Sequence, residues 1–279
     1  MADNPPPQSP PKVPFHLSLN PTQPTTILLL HGLLSSHLEW AHVTPLLASY
    51  HLLIPDLPGH SASSTLPART IPAMATTMAA FIATHAHDGV AHVVGLSMGG
   101  FVALDLARRF PQRCRSAFAT GAAPFAGAFA WMAARPRVVF ALMGALERVP
   151  DAVYWWVAGR SGMRRFEALR REMAGNRRWE VVSAVYASIL SDVGWDEVAA
   201  IDAVRVLDVA AGRQDDVEAA RRVGRVWRET GARERLGSRA VVVRGAVHAW
   251  DLQLPELFAE GIRAWVEGRD LPERFEDLE

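Results

Sequence analysis

Cysteine is almost absent: Cys114 stands alone among 279 residues. One thiol cannot close an internal disulfide, and it leaves no Cys-based zinc cluster. The expected setting is therefore reducing, and the expected location cytoplasmic. Lysine is equally scarce, since Lys12 is the sole example and every other basic residue is an arginine. Charge of one sign is lacking as well. Lys+Arg is 29 and Asp+Glu is 29, giving a formal net charge of +0. With no basic excess, a nucleic-acid partner is not expected. No run of about 18 apolar residues occurs, so no membrane span is expected. The nearest approach, residues 121–134, is shorter and interrupted by Pro124. The first 14 residues, MADNPPPQSPPKVP, have neither the apolar stretch of a secretory signal nor the pattern of a transit peptide. Their proline density predicts an extended, poorly ordered arm over residues 1–14.

What is present is the composition of a packed globular chain: 49% hydrophobic and 21% charged, with no internal repeat. The length suits one large domain, or a domain with a sizeable insertion. Short apolar, β-rich runs over residues 25–30, 51–54, 92–95, 117–120, 204–211 and 239–244 each close on Gly, Pro, Ser or Asp, or close to one. Continuous apolar runs of that length suit parallel strands buried on both faces. Residues 15–19 alternate more and read as an edge strand. Helical patterns fall between them, over residues 72–85, 98–110, 216–229 and 255–266. In the second of these, Phe101, Leu104 and Ala107 face inward. The alternation predicts a doubly wound α/β fold with a mostly parallel sheet flanked by helices.

One stretch breaks the rhythm. Residues 122–203 contain helix-like segments and no convincing strand, which is too long for a simple crossover. They read as a helical cap inserted between two parts of an α/β core, residues 15–121 and 204–279. The cap holds Trp131, Trp155, Trp156, Trp179 and Trp195, five of the nine tryptophans.

The chemistry centres on Gly95-Leu96-Ser97-Met98-Gly99. This G-x-S-x-G follows an expected strand and opens an expected helix, the context of a nucleophile elbow. The turn is so tight that the positions two before and two after the serine must be small. The serine oxygen is then presented at the carboxyl end of the sheet. A serine needs a base, and in folds with such an elbow the base follows both nucleophile and acid. Nine of the ten histidines precede Ser97, which leaves His248. The orienting carboxylate is expected in Gly212-Arg213-Gln214-Asp215-Asp216, directly after a strand. Asp215 is chosen over Asp216, because Asp is also a good N-cap for the helix that begins near Val217; Asp216 remains the alternative. Backbone N–H groups of Leu33 and Met98 are the expected oxyanion donors. His31 and His60 are read as structural.

These residues resemble the α/β-hydrolase superfamily. The match runs through His31-Gly32, Asp56-Leu57-Pro58-Gly59-His60-Ser61, Gly95-Leu96-Ser97-Met98-Gly99-Gly100, Gly212-Arg213-Gln214-Asp215 and His248. It spans about residues 15–266. The resemblance implies a Ser97–His248–Asp215 triad and a helical cap between the family's sixth and seventh strands. It is closest to the small esterases, enol-lactonases, carbon–carbon bond hydrolases and cofactor-free haloperoxidases. Ser97 at the elbow argues against the dehalogenases and epoxide hydrolases, whose nucleophile is Asp. There is no His-Gly-Gly-Gly stretch, so the esterases carrying that signature are not matched either.

The reaction implied is hydrolysis of a carboxylic ester, thioester or lactone of a hydrophobic small molecule, with no metal and no organic cofactor. Two alternatives stand beside it: hydrolysis of a carbon–carbon bond in a β-diketone-like substrate, and a low-turnover ligand-binding protein or receptor on the same fold. Trp131, Trp155, Trp156 and Trp250 are the expected substrate contacts, and the apolar cap favours a hydrophobic or aromatic acyl group. A role at a membrane surface is the lesser reading of that cap. The arginines of residues 160–178 read as a solvated helix face with intrahelical pairs, with a substrate carboxylate or phosphate site as the alternative. A monomer or homodimer is expected.

Overall fold

The computed structural model describes residues 13–67 and 69–278. The proline-rich arm expected over residues 1–14 lies, apart from its last two positions, outside the described residues. Eight strands form one sheet: β1 (His16–Leu19), β2 (Thr26–Leu30), β3 (His51–Pro55), β4 (Ala91–Leu96), β5 (Cys114–Thr120), β6 (Val206–Ala211), β7 (Arg239–Val243) and β8 (Glu276–Asp277). Their spatial order is β1-β3-β2-β4-β5-β6-β7-β8. The inner strands are parallel; β1 against β3 and β8 against β7 are antiparallel edges.

Each inner strand is buried on both faces, and its side chains divide by parity. In β2, Leu28 and Leu30 enter one apolar layer with Phe101, Val223 and Trp227. Ile27 and Leu29 enter the opposite layer with Trp40, Phe118, Trp250, Phe258 and Trp265. The first layer is closed by α1 (Ile71–His85), α2 (Met98–Arg109) and, further along the chain, α9 (Val217–Glu229). The second is closed by α11 (Trp250–Gln253) and α12 (Pro255–Glu267).

Between β5 and β6 the described chain makes no strand. It makes α3 (Gly127–Ala133), α4 (Pro136–Glu147), α5 (Asp151–Arg160), α6 (Glu167–Asn176), α7 (Trp179–Asp192) and the short α8 (Trp195–Ala199). A further short helix, α10 (Ala232–Leu236), follows α9. Val181, Val185 and Ile189 of α7 pack into the same layer as α1 and α2, so the insertion is rooted in the core. No single helix among the described residues is long and apolar enough to cross a membrane; α3 and α4 pass together but are bent by 87° at their junction.

The parallel strands all point their carboxyl ends one way, so the loops after β2, β4, β6 and β7 gather at one edge. Phe118 stands at the centre of the layer beneath that edge, with its ring 5.6 Å from that of Phe258 and 6.5 Å from that of Trp250. Phe118→Ala is expected to lower unfolding free energy by about 3–5 kcal/mol, the usual cost of such a cavity. Chemical denaturation checks it; a loss under about 1 kcal/mol would mean that the layer collapses freely.

Candidate active site

Ser97 sits between β4 and α2 with φ 54° and ψ −118°, a left-handed value rare for a residue with a side chain. The surroundings enforce it. A Cβ on Gly95 would lie 2.1 Å from the Gly99 carbonyl oxygen, and one on Gly99 would lie 2.1 Å from that of Leu30. Only glycine lets these backbones touch. The Ser97 amide donates to the Thr120 carbonyl at 2.8 Å, which pins the turn to β5. Although it occupies the helix N-cap position, the Ser97 side chain makes no capping bond, and its hydroxyl faces the cavity.

His248 lies on the loop between β7 and α11. Its Nδ1 donates to Asp215 Oδ1 at 2.5 Å, and its backbone N–H donates to Gln214 Oε1 at 2.8 Å. Asp215 Oδ2 accepts from the Ala211 amide at 2.7 Å. Asp216 faces elsewhere: its Oδ1 accepts from the Ala219 amide at 3.0 Å and caps α9. The structure therefore pairs His248 with Asp215 and gives Asp216 the capping position. Gly121, at φ 62°, completes the enclosure, since a Cβ there would stand 2.6 Å from His248 Cε1. Ser97 and His248 line one cavity of about 220 Å³, with no hydrogen bond between their side chains. Such bonds are often long before substrate binds.

Burial disfavours the charged form of His248, but the hydrogen bond that it donates to Asp215 and the negative charges of Asp215 and Glu39 outweigh it, so its pKa is raised above the ordinary value. Asp208 on β6 lines the same cavity. Burial first, and then the charge of Asp215, push its carboxyl up to about 8, so it is mostly protonated at pH 7. Neither of its oxygens has a hydrogen-bond partner among the described residues.

The loop after β2 carries Leu33. Its neighbour Leu34 has φ 69°, which turns the chain sharply. A Cβ on Gly32 would be 3.6 Å from that of Ser97, so the loop runs beside the nucleophile. The amides of Leu33 and Met98 donate to no acceptor among the described residues. Two buried groups fix this loop from outside. Glu39 Oε2 accepts the Gly32 amide at 2.7 Å. Asn176, the last residue of α6, donates to the carbonyls of Leu34 at 2.9 Å and Ser35 at 3.0 Å. Its Oδ1 accepts the Ser61 amide at 2.7 Å. His31 is a strut: it donates from Nδ1 to the Gly32 carbonyl at 2.8 Å, and its Nε2 accepts the Leu57 amide at 2.9 Å. Burial and then the neighbouring His60 hold it well below the usual histidine range. His60 is likewise lowered by burial, to about 4.

None of the four tryptophans expected to touch substrate lines this cavity. Its aromatic wall is Phe125, Phe129 and Tyr186. Trp250 is fully buried against Phe118 and Phe258 and donates to Thr120 Oγ1 at 2.9 Å. Trp131 and Trp156 are 55% and 64% exposed, with Arg135 and Arg160 stacked on them. Trp155 packs edge-on against Tyr154. The arginines of residues 160–178 do not form one solvated face. Arg164 pairs with Glu256, Arg170 with Asp151 and Arg177 with Glu147, each on another element, and Arg178 donates to the Gly59 carbonyl. Only Arg165, paired with Glu167, bonds close by in sequence. A second cavity of about 410 Å³ adjoins Leu33 and Leu34, walled by Met143, Tyr154, Arg170 and Met173. Among the described residues, no group of three or more His, Cys, Asp or Glu side chains could hold a metal ion.

Glu39, Asn176 and Asp208 carry no motif signal.

Comparison with known proteins agrees with this architecture. The family model of the α/β hydrolase fold matches residues 25–184. A protein described as belonging to the AB hydrolase superfamily, from Gibberella zeae, is 33% identical over 94% of this chain and 86% of its own. The chain belongs to the α/β-hydrolase superfamily. Among solved structures, a thermophilic esterase from Thermogutta terrifontis superimposes with a TM-score of 0.68 at 20% identity, covering 91% of this chain and 93% of that one. An enol-lactonase from Burkholderia xenovorans gives 0.67 at 18% identity, covering 87% and 91%.

The two aspartates separate by role in a simple experiment. Asp216→Ala is expected to cost about 0.5–2 kcal/mol of stability through the lost cap, with turnover retained. Asp215→Asn is expected to leave the melting temperature nearly unchanged and to cut kcat by about 10⁴-fold. Reversed outcomes in melting and kinetic assays would reverse the assignment.

Proposed function

We propose that the chain is a serine hydrolase that cleaves carboxylic esters, thioesters or lactones of hydrophobic small molecules through an acyl-enzyme. The observation that carries the reading is the His248–Asp215 contact of 2.5 Å at a cavity into which a strained Ser97 presents an uncommitted hydroxyl. The apolar wall of Phe125, Phe129 and Tyr186 supports a hydrophobic substrate.

In this reading Ser97 Oγ attacks the substrate carbonyl while His248 Nε2 takes its proton. Asp215 keeps the imidazole in the tautomer protonated at Nδ1 and stabilises the imidazolium. The Leu33 and Met98 amides receive the oxyanion; each such donor contributes about 3–4 kcal/mol in the transition state. His248 returns the proton to the leaving oxygen or sulfur. A water molecule, deprotonated by the same nitrogen, then releases the acid and frees Ser97. The proposal includes a cytoplasmic setting, in which the buried Cys114 stays reduced.

The test is hydrolysis of p-nitrophenyl esters from acetate to octanoate, with Ser97→Ala as control. Turnover should vanish in the variant, and the chain-length optimum should size the pocket. Turnover equal in both proteins would remove the serine mechanism; tight ligand binding without turnover would favour the receptor. The pH profile has a fixed sign. His248 acts as base only when neutral, and its pKa is raised, so kcat/KM should fall as pH drops through a midpoint above 6.5. An acid limb centred below that value would contradict the electrostatics described.

A further inference from the structure

The cap turns apolar residues toward solvent, where a covering helix ordinarily carries polar ones. Thirteen large apolar side chains are exposed among the described residues, and eight of them lie within α3, α4 and α5. Their spacing is helical. On α4, Val138, Leu142 and Leu146 follow one another at i, i+4 and i+8, while Val139 and Gly144 are buried. On α5, Val153, Trp156 and Val157 stand at i, i+3 and i+4, while Ala158 is buried. α3 adds Phe129 and Trp131. The three helices are neighbours: α3 packs against α4, and α4 and α5 share the walls of the cavity of about 410 Å³. Packing onto the sheet accounts for the inward residues of these helices and not for the outward ones. Exposed apolar surface on this scale marks a site of association.

Charge on the same segment is one-sided. Residues 127–160 carry Arg135, Arg137, Arg148 and Arg160 against two carboxylates, Glu147 and Asp151. Both carboxylates are neutralised from other elements, by Arg177 and Arg170. The four arginines pair with no carboxylate among the described residues. Arg135 lies over the ring of Trp131 at 4.0 Å and Arg160 over that of Trp156 at 5.1 Å, so positive charge sits directly beside exposed indole. Tryptophan flanked by uncompensated arginine matches the boundary of an anionic bilayer, where the ring enters the acyl edge and the guanidinium meets phosphate. It does not match a second copy of this chain. A two-fold contact would set the face against itself, arginine to arginine. Nor does the segment read as a straight span, since α3 and α4 are apolar enough together but bent by 87°.

We propose that α3, α4 and α5 dock the protein on an anionic lipid surface, with Leu142, Leu146 and Trp156 entering the acyl boundary and Arg135 and Arg160 meeting headgroup phosphates. Phe129, exposed on α3, also lines the cavity of Ser97, and Leu146 also lines the cavity beside Leu33. The docked face thus borders both cavities, and the substrate is an ester drawn from the bilayer. That choice of substrate rests on the serine-hydrolase reading; the docking does not.

The experiment is flotation of the full chain with vesicles of phosphatidylcholine, alone or mixed with phosphatidylglycerol. The wild type should float with the mixed vesicles and bind phosphatidylcholine alone at least about tenfold more weakly. Leu142→Ser/Trp156→Ser alters exposed positions, so the melting temperature should hold, while binding to mixed vesicles should fall at least about tenfold. Arg135→Gln/Arg160→Gln should lose at least about tenfold on mixed vesicles and little on phosphatidylcholine alone. A wild type that floats with neither vesicle overturns the proposal. So does binding that the Leu142→Ser/Trp156→Ser exchange leaves unchanged. A dimer in sedimentation equilibrium that the same exchange dissociates overturns it as well, and gives the face to a second copy. A kinetic arm separates the substrate from the docking. The wild type should hydrolyse p-nitrophenyl palmitate faster from mixed vesicles than from phosphatidylcholine alone. Equal rates from the two, with flotation as expected, overturn the bilayer substrate and keep the docking. No turnover of that ester or of p-nitrophenyl acetate in water refutes the hydrolase reading, and flotation then judges the docking by itself.

Discussion

The active-site edge depends on one contact between backbones: the packing of α2 against β4 and β2 through Gly95 and Gly99. Carbonyl oxygens occupy the space that any side chain at these positions would need. The contact forces Ser97 into a backbone conformation that costs about 1–3 kcal/mol. Strain of that size persists only where the surroundings over-determine it, and here β2, β4 and β5 all do. The hydroxyl that results is neither a cap nor a core hydrogen bond, and so remains available for chemistry.

Around that hydroxyl, charge is rationed by burial. Asp215 is held beside His248 with its second oxygen satisfied by the Ala211 amide. Asp208 lines the same cavity without a hydrogen-bond partner among the described residues, and burial with the charge of Asp215 keeps it mostly protonated at pH 7. An ionised Asp208 would compete with Asp215 for the imidazolium and bring two like charges into one small space. The buried histidines nearby, His31 and His60, are kept neutral by the same desolvation. His248 departs from that pattern because its carboxylate partners outweigh burial.

The architecture was legible in the sequence because its strongest signals are local. The runs at residues 25–30 and 51–54 are apolar at every position, as strands covered on both faces must be. Glycine at 95 and 99 reports a steric fact that composition cannot hide. The helix expected at 216–229 begins one residue later, since Asp216 is its cap and not its first turn. The cap was less readable. Aromatic content marks residues 122–203 as apolar but does not say which ring faces substrate, and tertiary packing sent Trp250 into the core and Trp131 and Trp156 to the surface. Phe125, Phe129 and Tyr186, which do reach the cavity, look no different in sequence. Glu39 and Asn176 escaped for a related reason: a buried polar residue declares itself only when its partner is known, and their partners lie elsewhere in the chain.

Asn176 sits at the end of α6 in the insertion, yet its amide closes on the Leu34 and Ser35 carbonyls and on Ser61. The insertion is therefore not an interchangeable module resting on a finished α/β core. A cap exchanged for that of a relative would carry away the clamp on the loop beside Ser97, and the graft would inherit a new pocket together with a loosened loop after β2. A change of cap then alters the pocket and the loop beside Ser97 together, unless an asparagine is kept at that position.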